Sequence, residues 1–242
     1  MKVQDLINTP ELDQIAEKWQ DWVMAAGIGS AALGGGSAIH DYYTSQKNQE
    51  INQTAVAPRQ DPAAVARNIL AKSNNKLEQA LIKVAMKSMK SADEIKQFMA
   101  QCAHETADFT TLTEIGSDKY IAKKYDKKHS PKKAAALGNK YAGDGVRYKG
   151  RGYIQLTGRY NYAKAGEALG LPLEQQPELV ERPDIAAKVA LWFWNQRVKP
   201  RVDDFTHVPS STKPINPGMK GLDNRQAHFD KYSATAADDS KI

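Results

Sequence analysis

The chain has 242 residues, 41% of them hydrophobic, with 34 Lys and Arg against 28 Asp and Glu. That length and apolar content suffice for a globular core and exclude a wholly disordered, collagen-like or multi-pass membrane protein. A single cysteine, Cys102, excludes an internal disulfide framework and a cysteine-rich zinc site.

The first element predicted is a short amphipathic helix over 10–22, with Thr9 as its N-cap and Pro10 at its first position. Residues 23–39 follow without a single charge, but they are mostly Gly and Ala and fall slightly short of the roughly 20 residues of a membrane span. Gly27, Ala31 and Gly35 lie four apart, a small-residue stripe that lets helices approach closely in lipid or in a larger assembly. The acidic residues Asp5, Glu11, Asp13, Glu17 and Asp21 argue against a cleavable export signal. A weak membrane anchor, a helix packed in an assembly and a flexible spacer all stay open for 23–39. Gln, Asn, Thr and Pro then dominate, so the chain divides into an N-terminal segment 1–43, a linker 44–64, a globular domain 65–234 and a tail 235–242.

Within the domain the periodicity is helical. Leu77, Leu81, Val84 and Ala85 form one stripe, and Ile95, Phe98, Met99 and Cys102 a second. A helix from about Gly158 stops at Gly170 and Pro172, and Pro183 opens another whose Ala186, Val189, Ala190 and Phe193 make a third stripe. Strand patterns are confined to 153–156 and 112–115. The fold predicted is mainly α, of α+β type with at most a small β element.

Between Asp118 and Arg151 eleven basic residues outweigh the three acids Asp118, Asp126 and Asp144, so charge concentrates in the stretch 119–151. Such a patch implies an anionic partner: nucleic acid, a lipid surface or an acidic polymer such as a bacterial wall. Only Tyr120, Tyr125, Tyr141 and Tyr148 are scattered through it and no nucleic-acid module is present, so nucleic acid is not expected.

Two carboxylates stand out. Glu105 continues the stripe through Cys102 and falls in the last turn of its helix, where the helix dipole and burial both disfavour the anion, as a general acid requires. Glu114 lies nine residues on, which along a continuous helix would put it on the opposite side and roughly 13 Å away. The β-branched and Asp residues of 108–113 permit the chain to turn back, so the pair could face each other across a cleft. His104-Glu105-Thr106-Ala107-Asp108 begins like the zinc motif H-E-x-x-H but carries Asp108 in place of the second His, so no metal is expected. Cys102 and His104, two residues apart on a helix, diverge and do not read as a nucleophile and its base.

Gln101-Cys102-Ala103-His104-Glu105-Thr106, the run 148–162 (YKGRGYIQLTGRYNY), Ala190-Leu191-Trp192-Phe193-Trp194 and the closing 215–218 (INPG) with 221–225 (GLDNR) occur in the order of glycoside hydrolase family 19. The sequence resembles that family over roughly 75–232, and within it the phage and bacterial cell-wall lysins. The resemblance implies a lysozyme-like fold of two helical lobes around a substrate cleft, working without cofactor or metal. It implies Glu105 as general acid, Glu114 as the base that activates water, and Thr157 as the hydroxyl that helps hold that water. Gln155, Tyr160 and Asn161 correspond to sugar-contacting residues, while Asn216 and Arg225 correspond to cleft and carboxylate-orienting groups. The family's Asn-Gly-Gly reads Asn216-Pro217-Gly218 here, and Lys220 stands where plant chitinases carry an acid, which points away from chitin. The expectation is therefore a phage-encoded, inverting peptidoglycan glycosidase acting at the bacterial cell wall or periplasm. The stretch 119–151 would hold the anionic wall, and 23–39 would give weak membrane or virion association. A lytic transglycosylase, a chitinase and a non-catalytic wall-binding virion protein are the alternatives.

Overall fold

The computed structural model describes residues 60–237. The helix predicted over 10–22, the apolar segment 23–39, residues 44–59 of the linker and the end of the tail lie outside the described residues. Ten α-helices follow one another: α1 (Pro62–Lys72), α2 (Lys76–Ser88), α3 (Ala92–Glu105), α4 (Asp118–Tyr125), α5 (Pro131–Ala136), α6 (Asp144–Arg147), α7 (Arg159–Leu169), α8 (Pro183–Phe193), α9 (Val208–Thr212) and α10 (Leu222–Ala237). None of the described helices is long and apolar enough to cross a membrane.

The helix starts follow from local chemistry. Asp61 accepts from the amides of Ala63 and Ala64, Asn75 from Leu77 and Glu78, and Ser91 from Glu94, so each side chain satisfies amides the first turn leaves without partners. The stripe through Ile95, Phe98, Met99 and Cys102 is buried as the spacing predicts, but α3 is covered nearly all round. It runs through the centre of the larger lobe and packs on α1, α2, α9 and α10, which is why Gln97 and Gln101 are buried with the apolar face. Glu94, also buried, accepts hydrogen bonds from Trp194 Nε1 (3.1 Å) and Lys199 Nζ (2.9 Å), and Trp194 meets Phe98 edge-on at 5.3 Å. These contacts offset the cost of burying a carboxylate at the start of the central helix.

Helix α8 has two apolar faces. Ala186, Ala187, Ala190 and Phe193 join the large core, while Ile185 and Val189 join a second cluster with Tyr148, Leu156, Tyr162, Leu173 and Val180. A third, small cluster of Ile121, Tyr125 and Leu137 holds α4 and α5 together. Two helical lobes thus share α8 as a common wall, matching the mainly α architecture predicted.

The β element reduces to isolated bridges, Thr113 with Arg151 and Arg151 with Leu156. Tyr153 to Gln155, expected to be extended, instead form a turn between Gly152 (φ 76°) and Gln155 (φ 50°). A chain that twice enters the left-handed region within four residues cannot continue a strand. Gly158, with φ 92°, occupies the N-cap position of α7, and the left-handed Gly170 ends that helix where the sequence predicts.

Candidate active site

Glu105 is the last residue of α3, and Arg225 of α10 reaches it from below. The guanidinium is fully buried; its Nη2 pairs with Glu105 Oε1 and its Nη1 donates to Gln101 Oε1 at 2.5 Å. Gln101 in turn donates to Thr212 Oγ1 (3.0 Å) and Gln97 Oε1 (3.3 Å). Glu105 is therefore the partly exposed end of a buried polar chain crossing from α10 through α3 to α9. Among the described residues no protein group bonds Glu105 Oε2, which leaves that oxygen for a ligand.

Immediately after Glu105 the chain reverses. Ala107, Asp108 and Phe109 have φ of 49°, 58° and 59°, three successive left-handed residues without a glycine among them. Each such residue costs on the order of 1 kcal/mol, so the turn needs external support. Thr106 provides it: its buried hydroxyl donates to Cys102 O (2.7 Å) and accepts from Phe109 N (3.1 Å). Asn75, which caps α2, also donates to Phe109 O at 3.0 Å. The reversal expected between the two carboxylates is thus present, and it is built by Thr106 rather than by the β-branched run.

The returning chain places Glu114 against Gly150, where Glu114 N donates to Gly150 O (2.8 Å) and Gly150 N donates to Glu114 Oε2 (3.0 Å). Lys124 Nζ (2.8 Å) and Tyr125 OH (2.9 Å) both donate to Oε1. With three donors around it, this carboxylate is built as an acceptor. A methyl group at Gly150 would lie 2.7 Å from Gln155 Oε1, 3.1 Å from Glu114 Oε2 and 3.3 Å from Thr157 Oγ1. Gly150 is therefore the point at which three of the predicted residues converge, and the missing side chain is what admits them. Gln155 holds its left-handed backbone with its amide on Gly152 O (3.1 Å), and Thr157 Oγ1 donates to Gln155 O (2.7 Å).

The remaining predicted residues are arranged around this pair of centres. Asn161 is buried and donates to Thr157 O at 2.7 Å, so it supports the Thr157 segment from beneath. Tyr160 is exposed at the surface of α7, above Gly138. Asn216 is buried, with Nδ2 3.4 Å from Lys220 O, the carbonyl that Arg225 Nε also approaches (3.5 Å); its Oδ1 has no partner among the described residues. Asn216 thus belongs with Arg225 on the acid's side.

Cys102 and His104, the acid's neighbours on α3, have structural roles. Cys102 is buried and its thiol is pushed well up, first by burial and then by the neighbouring Glu105 charge, so it is a core residue and not a thiolate. His104 Nδ1 lies 2.7 Å from Asn224 Oδ1, and its ring fills the space where a side chain at Gly221 (φ 72°) would stand. Four residues at the site escape a reading by spacing: Gln101, Lys124, Tyr125 and Gly150. Gln101 and Gly150 lie inside the family's motifs, whereas Lys124 and Tyr125 are hidden in the basic stretch. Burial raises the Tyr125 hydroxyl first, and contact with Glu114 adds to it, so this group stays a donor. Burial and the nearby Lys124 lower Lys133 to about 8, against a smaller opposing pull from Glu114.

The profile of the family described as Chitinase class I, glycoside hydrolase family 19, matches residues 44–214, well over half of the sequence. The chain belongs to this family. A glycosyl hydrolase family 19 domain-containing protein of Haemophilus influenzae is 32% identical over 53% of this chain and 72% of its own length. An endochitinase of Arabidopsis thaliana is 36% identical over 55% of this chain, and a further Arabidopsis relative, named an inactive endochitinase, is 33% identical over 48%. The chain spans 42% and 38% of the lengths of these two plant relatives. Chitinase C from Streptomyces griseus shares the fold, with a TM-score of 0.51 and 22% identity over 73% of this chain and 91% of that one.

Proposed function

We propose that the chain is a peptidoglycan-degrading glycosidase that cleaves the β-1,4 glycan bond with inversion, using Glu105 and Glu114 as acid and base. The observation that carries this reading is the pairing of two separately supported carboxylates at either end of one tight reversal. Glu105 rests on the buried Arg225, and Glu114 is held by three donors. Glu105 Oε2 carries the proton to the glycosidic oxygen as the bond to the anomeric carbon breaks. A water between the carboxylates attacks that carbon from the opposite face and gives its proton to Glu114, with Thr157 Oγ1 holding the water in line. Asn161, through Thr157 O, and Gln101, through Arg225, act as positioning residues.

A bacterial wall is favoured as substrate by the charge of the smaller lobe. Lys119, Lys123, Lys127, Lys128, Lys132 and Lys140 are exposed on and around α4 and α5, and α4 carries the Lys124 and Tyr125 that bond Glu114. An anionic polymer gains from that field, whereas a neutral one does not. The likeness of the motifs to wall lysins supports a part in phage-mediated lysis or wall penetration, with the catalytic unit in 65–234. The chitinase alternative is favoured by the named activities of the plant relatives.

The two readings separate on purified Gram-negative peptidoglycan and chitin oligomers incubated in parallel, with products weighed by mass spectrometry. Release of wall fragments carrying ordinary reducing ends is the expected result. Fragments lighter by one water would make the protein a lytic transglycosylase. Turnover of chitin alone would make it a chitinase, and sedimentation with the wall without turnover a binding protein.

A further inference from the structure

Beside the base sits a cation that the chemistry above does not use. Lys133 of α5 places Nζ 4.9 Å from the centroid of the Tyr125 ring, and Lys124 places its own Nζ 4.8 Å from the same ring. Tyr125 and Lys124 both bond Glu114 Oε1, so the two lysines, the tyrosine and the catalytic carboxylate form one cluster. Within it Lys124 is matched by Glu114 at 2.8 Å. Lys133 is half-buried and makes no ion pair or hydrogen bond through Nζ among the described residues. The cluster therefore holds two cations against one anion at the edge of the reaction centre, and apart from the face of the Tyr125 ring Lys133 has no counter-charge of its own among the described residues.

We infer that Lys133 is a specificity residue that receives a carboxylate pendant from the glycan, at the sugar next to the scissile bond. Resting on the peptidoglycan reading, the inference names what distinguishes that polymer at this position. Chitin is neutral, whereas every second sugar of peptidoglycan carries a lactyl ether. That ether ends in a carboxylate when the stem peptide is absent and leads to the stem's own carboxylates when it is present. A carboxylate beside Lys133 would supply the counter-charge missing from the cluster, at a place where a half-buried ion pair outweighs a fully solvated one.

The test uses the full chain and one glycan in two charge states: peptide-free glycan strands, and the same strands with their carboxylates converted to amides. Wild type is expected to cut the native strands with kcat/KM about fivefold above the amidated ones, the scale of a partly exposed ion pair. Lys133→Met should lose that preference while Lys133→Arg keeps it, and the loss should fall on KM. Strands that retain stem peptides, treated in the same way, tell the lactyl carboxylate from those of the stem. If Lys133→Met slows native and amidated strands equally, Lys133 acts on Glu114 or on the fold and the inference is overturned. Equal cutting of both strand types by wild type overturns it as well. If wild type cuts neither and turns over chitin oligomers, the peptidoglycan reading itself has failed, a result distinct from the other two.

Discussion

The two carboxylates are held in opposite ways. Glu105 ends a regular helix and is fixed from inside the core by Arg225, Gln101 and Thr212, all buried. Glu114 lies outside regular structure and is fixed by a partly buried lysine, a tyrosine hydroxyl and the amide of a glycine. The position of Glu105, the proposed acid, is thus tied to the stability of the larger lobe. The position of Glu114, the proposed base, depends on local geometry around Gly150 and on the lobe that carries α4 to α6. Perturbing the first should cost stability and activity together, and perturbing the second should cost activity first.

The largest effect is expected from Arg225→Leu, which strands Glu105 and Gln101 Oε1 beside an apolar side chain. Removing one partner of a buried ion pair should lower unfolding free energy by about 3 kcal/mol, read as a shift in the urea midpoint at unchanged slope. Stability within about 0.5 kcal/mol of wild type would erase the distinction between the two sides.

On the base's lobe, Arg159 binds Asp144 through two hydrogen bonds of 2.9 and 2.6 Å and reaches Glu174 at 2.9 Å. Burial alone would raise the Asp144 carboxyl, but Arg159 and the amides of Tyr141 and Lys140 outweigh it and hold the group below its usual range. A carboxyl lowered on folding contributes stability above its unfolded value of about 3.9, and that contribution is lost as pH falls through the folded value. Asp144→Asn should therefore cost roughly 2 kcal/mol near neutral pH, with the wild-type and variant midpoints drawing together as pH falls from the unfolded carboxyl value through the lowered folded one. A gap that stays constant as pH falls through that range would remove the ion pair as its cause.

Gly150→Ala sharpens the comparison further, because the three atoms nearest its added methyl are the side-chain oxygens of Gln155, Glu114 and Thr157. Those side chains yield at small energetic cost, so the fold should persist while kcat falls about tenfold, equivalent to roughly 1.4 kcal/mol in the barrier. The smallest effect is expected at the exposed Ala107, whose φ of 49° a glycine adopts freely. Ala107→Gly should raise stability by about 0.5–1 kcal/mol by relieving the reversal. A loss of stability there would mean that the left-handed run is not strained.

The same contrast governs how much the sequence discloses. Period and caps locate α2, α3, α7 and α8, because a helix buries its face at fixed spacing and Pro183 and Gly170 punctuate it. Glu105 inherits that legibility. Its partner Arg225 lies 120 residues away, a separation that no local pattern reports and only the family motifs reach. On the base's side the strand expected over 153–156 is a turn, since Gly152 and Gln155 take left-handed conformations that a hydrophobic pattern does not encode. Lys124 and Tyr125 are hidden for a different reason. Among eleven cations in one stretch, nothing in the order of residues distinguishes the one that meets Glu114 from those facing solvent.

The most direct measurement is the loss of turbidity of purified peptidoglycan with wild type, Glu105→Gln and Glu114→Gln side by side, each first shown to unfold at the wild-type temperature. Wild type should clear the suspension, and each variant should be slower by about a hundredfold or more, since each removes one proton-transfer group. Clearance by either variant at the wild-type rate would contradict the assignment of that carboxylate.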